Sequence, residues 1–146
     1  MALPVSYIGA LVQMVASVPA TTDASGFGAL TYTTIGKIVS VDPTGDTTDN
    51  ISIPLLAGRV EHVNGAADGG EIPMAFRWDG GTDAGQTLIL ANNNGSQNCS
   101  FKITDPDGKI EYFFALIANY QSMARNTQNY KGYNFVARVN SPVIRV

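Results

Sequence analysis

One cysteine, one histidine, one tryptophan and three glutamates in 146 residues leave little from which to build a reaction centre. Cys99 stands alone, so an intrachain disulfide and a cysteine-based metal cluster are both excluded. It shares strand parity with Phe101 and Ile103, which predicts a buried thiol rather than a reactive one. Any Ser-His-Asp triad would have to use His62, which lies between Val60 and Val63, and no Gly-x-Ser-x-Gly elbow presents a nucleophile. Glu61, Glu71 and Glu111 show no spacing that pairs two carboxylates for glycoside chemistry. Gly80-Gly81-Thr82-Asp83-Ala84-Gly85 is glycine-rich but lacks the Lys-Ser/Thr of a phosphate loop. Asp42, Asp46 and Asp49 fit neither the EF-hand nor the nonapeptide calcium spacing, so they read as a solvated loop. No cofactor, metal or catalytic residue is implied.

Charge is also scarce. Only 14% of residues are Asp, Glu, Lys or Arg, against about a quarter in ordinary soluble domains, while 45% are hydrophobic. That combination does not describe a disordered chain. It describes a folded one whose surface is partly covered by something else, with sister subunits the simplest candidate. The nine basic residues are scattered from Lys37 to Arg145 and the net charge is −3, which argues against a nucleic-acid reader. Ala2–Ala20 is apolar enough to suggest a signal peptide, but it has no basic start and is interrupted by Pro4, Ser6, Gln13 and Ser17. Nor does it offer the roughly 20 unbroken apolar residues of a membrane span. A strand explains it better, with Ile8, Ala10, Val12, Met14 and Ala16 sharing a parity.

What is present is a period of two. Ile72, Met74, Phe76 and Trp78 alternate with Glu71, Pro73, Ala75 and Arg77, and Tyr133, Phe135, Ala137 and Val139 alternate with residues that include Asn134 and Arg138. Ile51, Ile53 and Leu55 alternate with Ser52 and Pro54, the proline pointing to an edge or a bulge. Ile110–Ala118 is apolar on both faces, which predicts a strand covered on both sides. Asp42-Pro43-Thr44-Gly45-Asp46 and Asp105-Pro106-Asp107-Gly108 read as tight turns, and Asn64-Gly65 as the closure of a hairpin between 59–63 and 71–78. One helix is expected at about residues 83–93, capped by Thr82 or Asp83 and ended by Asn92-Asn93-Asn94-Gly95. The expected fold is mainly β, an antiparallel β-sandwich or partly closed barrel with one flanking helix.

Several segments in order resemble phage tail tube subunits: Pro19-Ala20-Thr21-Thr22-Asp23 through Gly26-Phe27 to Ile35-Gly36, Asp68-Gly69-Gly70-Glu71, and Asp83-Ala84-Gly85-Gln86-Thr87-Leu88. The run Phe101–Phe113 around Asp105-Pro106-Asp107-Gly108, and the final strand 133–139, complete the series. None is specific alone; their order over nearly the whole chain carries the resemblance, which is to the major tail tube protein of long-tailed, siphovirus-type phages. It implies one tail-tube domain over 1–146, without the immunoglobulin-like C-terminal domain that the family often adds. It implies hexameric rings stacked head to tail into a hollow tube, a heterologous contact that never closes. The implied partners are the chain itself, tail terminator and initiator or tip proteins, a tape-measure protein in the lumen, and genomic DNA that transits without specific binding. No membrane is involved. An acidic balance suits a lumen through which phosphates must slide. The implied location is the virion tail, assembled in the host bacterial cytoplasm.

By the same analogy the 42–50 loop and the 59–70 hairpin would reach neighbouring subunits through Asp42, Asp46, Asp49, Asn50, Arg59, Glu61, His62, Asn64, Asp68 and Glu71. The segments 2–22 and 143–146 would add contacts. A tube subunit of a contractile injection system, whether a secretion-type tube or a tail-like bacteriocin, fits the same residues. From other classes come a secreted carbohydrate-binding β-sandwich using Trp78 as a stacking platform and a small hydrolase using His62. The parity of Trp78 with Phe76 favours its burial.

Overall fold

The computed structural model describes residues 3–146. Ten strands and two helices follow one another as β1 (Leu11–Val15), α1 (Ala24–Gly28), β2 (Thr33–Thr34), β3 (Ile38–Val41), β4 (Thr47–Pro54), β5 (Val60–Asp68), β6 (Glu71–Arg77), α2 (Ala84–Ala91), β7 (Cys99–Thr104), β8 (Ile110–Ser122), β9 (Gly132–Val139) and β10 (Ile144–Arg145). The main sheet has the order β2-β1-β7-β8-β9-β6-β3, every pairing antiparallel, with β10 on β8 beyond the end of β9.

The two ends of that sheet are made by one segment of chain. β2 pairs with β1, β3 pairs with β6, and only residues 35–37 separate them. The Ile35 amide donates to Val12 O (2.9 Å), and Arg77 N donates to Lys37 O (2.8 Å), so the strand changes partner within two residues. Lys37 makes the bend with φ 61°, in the left-handed region that costs a residue with a Cβ. The bent strand thereby bridges the two ends of the sheet and closes it into a barrel, with β2 and β3 each paired on one side.

Alternation decides what fills the barrel. Val12 and Met14, Ile72, Met74 and Phe76, Phe101 and Ile103, Phe113, Ala115 and Ile117, and Phe135, Ala137 and Val139 form one buried cluster with Cys99, Ile35 and Ile89 of α2. Each strand contributes every second residue, as a closed antiparallel sheet requires. The thiol of Cys99 is buried, as its parity predicts, and loss of hydration pushes it up to about 11. Helix α2 is capped by Asp83, whose side chain accepts from Gln86 N at 3.1 Å. It lies within the span expected from sequence.

Both faces of β8 are covered, for different reasons. Phe113, Ala115 and Ile117 enter the core, while Tyr112 stacks on Phe27 with ring centroids 5.5 Å apart and Phe114 lies tilted beside it. Phe27 belongs to α1, a single turn that the expectation of one helix missed. Asp23 caps it, its Oδ1 accepting from Gly26 N at 2.7 Å, and Tyr32 ties it down by donating to Phe27 O at 2.9 Å. The Asp-to-Phe part of the tube-like motif is thus a local cover for the outer face of β8.

The N-terminal expectation is corrected in extent. Only Leu11–Val15 is a strand; Val12 and Met14 are buried, but Ile8 is exposed along with Leu3, Val5 and Tyr7. Asn64-Gly65 is not a turn. It lies inside β5, which runs unbroken from Val60 to Asp68. The hairpin is instead β4–β5, joined by residues 55–59, with Leu55 N donating to Arg59 O and Gly58 N to Leu55 O. Asp49, expected in a solvated loop, and Asp68, expected between the hairpin strands 59–63 and 71–78, are accordingly strand residues.

Candidate assembly interface

The β4–β5 hairpin is a separate two-stranded sheet, hydrogen-bonded to no strand of the barrel. Every residue of β4 is exposed, and in β5 only Gly65 is not. A lone two-stranded ribbon is at best marginally stable in water, because half its backbone groups and nearly all its side chains remain solvated. Its position in the chain explains its independence. Pairing of β3 with β6 stops at Val41, where Asp42 N still donates to Pro73 O, and 42–46 then carries the chain off the barrel.

The register sorts the hairpin into two unlike faces. Residues directly opposite in an antiparallel pair point the same way, so Ile51 with Val63 and Ile53 with Glu61 lie on one face, and Asn50 with Asn64, Ser52 with His62 and Pro54 with Val60 on the other. A bulge between Thr48 and Asn50 sets Gly65 and Ala66 against Asp49, and Asp49 stays on the face of Ile51. The first face is therefore an apolar stripe of Ile51, Ile53 and Val63 flanked by Asp49 and Glu61, with Arg59 opposite Leu55 at its tip end. Each of the three apolar residues leaves 41–50% of its surface in water. Covering the rest of them would stabilise a complex by roughly 1 kcal/mol apiece.

The second face carries Pro54 and Val60 toward the tip and is polar and internally bonded beyond them. His62 Nδ1 lies 3.0 Å from Asn50 Oδ1, and Asn50 Nδ2 donates to Ser52 Oγ at 3.0 Å. A histidine held by two neutral side chains on an exposed ribbon has neither a carboxylate to orient it nor an enclosed space to act in. Among the described residues no group of three His, Cys, Asp or Glu side chains is placed to hold a metal ion.

The sequence-derived contact residues fall at five places. Asp42 and Asp46 stand at the root of the hairpin, with Asp68 opposite, its Oδ1 accepting from Gly70 N at 2.8 Å. Asp49 and Glu61 flank the apolar stripe, and Asn50, His62 and Asn64 share the polar face. Arg59 is at the tip. Glu71 is off the hairpin, on β6, where it forms an exposed ion pair with Arg138 at 3.1 Å. What residue-type reasoning passed over is the stripe itself, together with Leu55 and the fully exposed Leu56 of the tip. Its alternation was legible but reads equally as a core strand. Leu3, Val5, Tyr7 and Ile8 form a second exposed apolar segment; Ala2, also expected to make contacts, lies outside the described residues. At the C-terminus Ile144 and Arg145 pair with β8, and Val143 packs on the core, so that end is anchored to the barrel. Trp78 is half-buried, edge-on to Tyr133 with Lys131 5.7 Å over its ring, which is no open stacking platform.

A closed antiparallel barrel with a capped helix and a free-standing amphipathic hairpin defines the architecture. The same fold is found in particle-forming proteins. The chain aligns over 99% of its length with a chain in the cryo-EM structure of the sheath/tube terminator of PVC, an extracellular contractile injection system, covering 98% of that chain with a TM-score of 0.66 at 13% identity. A chain of the anti-feeding prophage (AFP) baseplate aligns over 100% of this chain and 97% of its own length, with a TM-score of 0.67 at 9% identity. A chain from the tail of an empty GTA particle, refined helically with C6 symmetry, aligns over 91% of this chain and 92% of its own, with a TM-score of 0.58 at 18% identity. No protein family and no curated protein matches by sequence. At these identities it is the fold that is shared.

Proposed function

We propose that the chain is a structural subunit that polymerises into the tube of a phage-like tail or injection particle, and that it catalyses nothing. The observation that carries this reading is the hairpin whose apolar stripe of Ile51, Ile53 and Val63 has no cover within the chain. A monomer gains nothing from displaying such a ribbon, whereas a polymer buries it at every repeat. Full-length likeness to chains of tail-type particles supports the same conclusion. Within it, a contractile injection system is favoured over the siphovirus-type tail of the sequence resemblance, because the PVC tube-terminator structure belongs to a contractile system and aligns end to end with this chain.

On this reading six copies form a ring, rings stack into a hollow tube, and terminator and tip proteins cap it. A tape-measure protein or cargo, or DNA in a phage, occupies the lumen without specific binding. The subunit is made in a bacterial cytoplasm and ends in the tail of the particle. Negative-stain electron microscopy of the purified protein over a concentration and salt series tests this. Rings or tubes are expected; a monodisperse monomer at every concentration, with tip proteins also present, would remove the proposal.

A further inference from the structure

The barrel carries its charge at opposite ends of its strands. β6 is seven residues long, about 20 Å at ~3.3 Å per residue, and begins at the acidic hairpin root. At its far end Arg77, Lys37 and Lys131 come together: Arg77 N donates to Lys37 O, Trp78 N donates to Lys131 O, and the Lys131 ammonium lies over Trp78. The two acids nearest this cluster are held by the backbone. Asp79 accepts from Gly81 N and Asp83 N, and Asp83 from Gly36 N and Gln86 N. Beside the three cations Val39 is exposed, the one residue of β3 left out of register by the bulge between Ile38 and Ser40. Meanwhile Arg138 and Arg145, the arginines at the acidic end, are paired with Glu71 and Glu111.

Resting on the polymerisation reading, we propose that the acidic, apolar face of the β4–β5 hairpin of one copy docks on the basic end of the next copy. Asp49 and Glu61 meet Lys37, Arg77 and Lys131, and the stripe between the two acids covers Val39 and the exposed part of Trp78. The partner is a second copy because the chain itself supplies both halves of the contact, opposite in charge and each with apolar surface at its centre. Two different surfaces on one chain make a heterologous contact, which propagates in one direction. The ion pairs set direction and register, and the apolar stripe holds the contact. Because exposed charges are screened within about 3 Å at 1 M salt, against about 8 Å at physiological strength, the contact weakens as salt rises.

Charge exchange in the full chain tests this. Glu61→Lys puts a cation beside Asp49 on the hairpin face, Arg77→Glu puts an acid among Lys37 and Lys131, and the double variant restores opposite signs at the 61–77 pair with the two charges exchanged. Assembly is read by sedimentation and electron microscopy at about 0.05 M and about 1 M salt, with thermal melts confirming that each variant folds. We expect the critical concentration of the unaltered protein to rise with salt, each single change to raise it about tenfold, and the double variant to recover most of that loss. If the protein assembles but its critical concentration ignores salt, or the double variant does no better than the singles, the docking is overturned while polymerisation stands. If the unaltered protein never assembles, both fall. Should a variant fail to fold, the salt series of the unaltered protein decides alone.

Discussion

The carboxylate of Asp83 is shared between α2 and Gly36, one oxygen accepting from Gln86 N at 3.1 Å and the other from Gly36 N at 3.0 Å. One side chain thus starts the helix and fixes the bend at which the closing strand changes partner. Gln86, almost fully buried, completes the junction by donating from Nε2 to Gly36 O and Arg77 O, both at 2.9 Å. A Cβ at Gly36 would run into Asp83 Oδ2 and push the carboxylate off both amides. Asp83→Ala is expected to lower unfolding stability by about 2–3 kcal/mol, a lost cap plus an unpaired amide at the closure. Asp83→Asn, which keeps one acceptor oxygen, should cost about half as much. Urea melts check both; equal losses would mean that the second hydrogen bond contributes nothing.

Phe27 makes a second prediction. It covers Tyr112 and Phe114 from outside the barrel, so its removal exposes a face of β8 without opening the main core. Phe27→Ala should destabilise by about 3 kcal/mol, at the low end for a buried aromatic because water can enter from the surface. Hydrogen exchange should accelerate in 24–32 while the amides of β7 and β8 stay protected. Uniform acceleration across the sheet would show that α1 belongs to the same cooperative unit as the barrel.

These two contacts mark how much was legible in the sequence. The alternation of β6, β9 and the inner face of β8 named the core, because burial on one face imposes a period of two and nothing competes with it. The position of α2 was equally plain from the triple asparagine, and its cap was narrowed to Thr82 or Asp83, of which Asp83 serves. The bend at Gly36–Lys37 was not, since a partner change leaves no period of its own. The hairpin was misassigned for a similar reason: Asn64-Gly65 is a strong turn signal, but here the glycine lies at a bulge against Asp49. Ile51 and Ile53 then read as core because alternation reports which face is apolar and not whether that face is covered within the same chain.

Asp23 carries a pH dependence. The amide of Gly26 and the hydroxyl of Thr21 both donate to its carboxylate and hold it below the ordinary value of 3.8. A folded-state value below the unfolded one means that the charged form stabilises the fold. That contribution is complete above pH 3.8 and is lost as pH falls through the lowered value. Acid should therefore loosen α1 before the barrel, and Asp23→Asn should remove the dependence while keeping much of the cap. NMR titration of the Phe27 and Tyr112 ring signals follows it; ring shifts that do not track the Asp23 carboxyl would refute the assignment.

The hairpin separates stability from assembly most cleanly. Ile53 lies on the outer stripe between Ile51 and Leu55 and touches nothing of the barrel core. Its replacement by a polar residue removes surface that is already half in water, so the monomer should change by no more than about 0.5 kcal/mol. In a polymer the same residue is repeated at every contact, and Ile53→Lys would place a cation in each one against the basic end of the next copy, while in the monomer it stands opposite Glu61. Thermal melts of Ile53→Lys should overlay those of the unaltered protein, while its tubes or rings disappear from sedimentation and electron microscopy. Val60→Asp, on the opposite face of the same ribbon, is the control. If both variants assemble equally well, the stripe is not a contact; if only Val60→Asp fails, the hairpin docks through its other face.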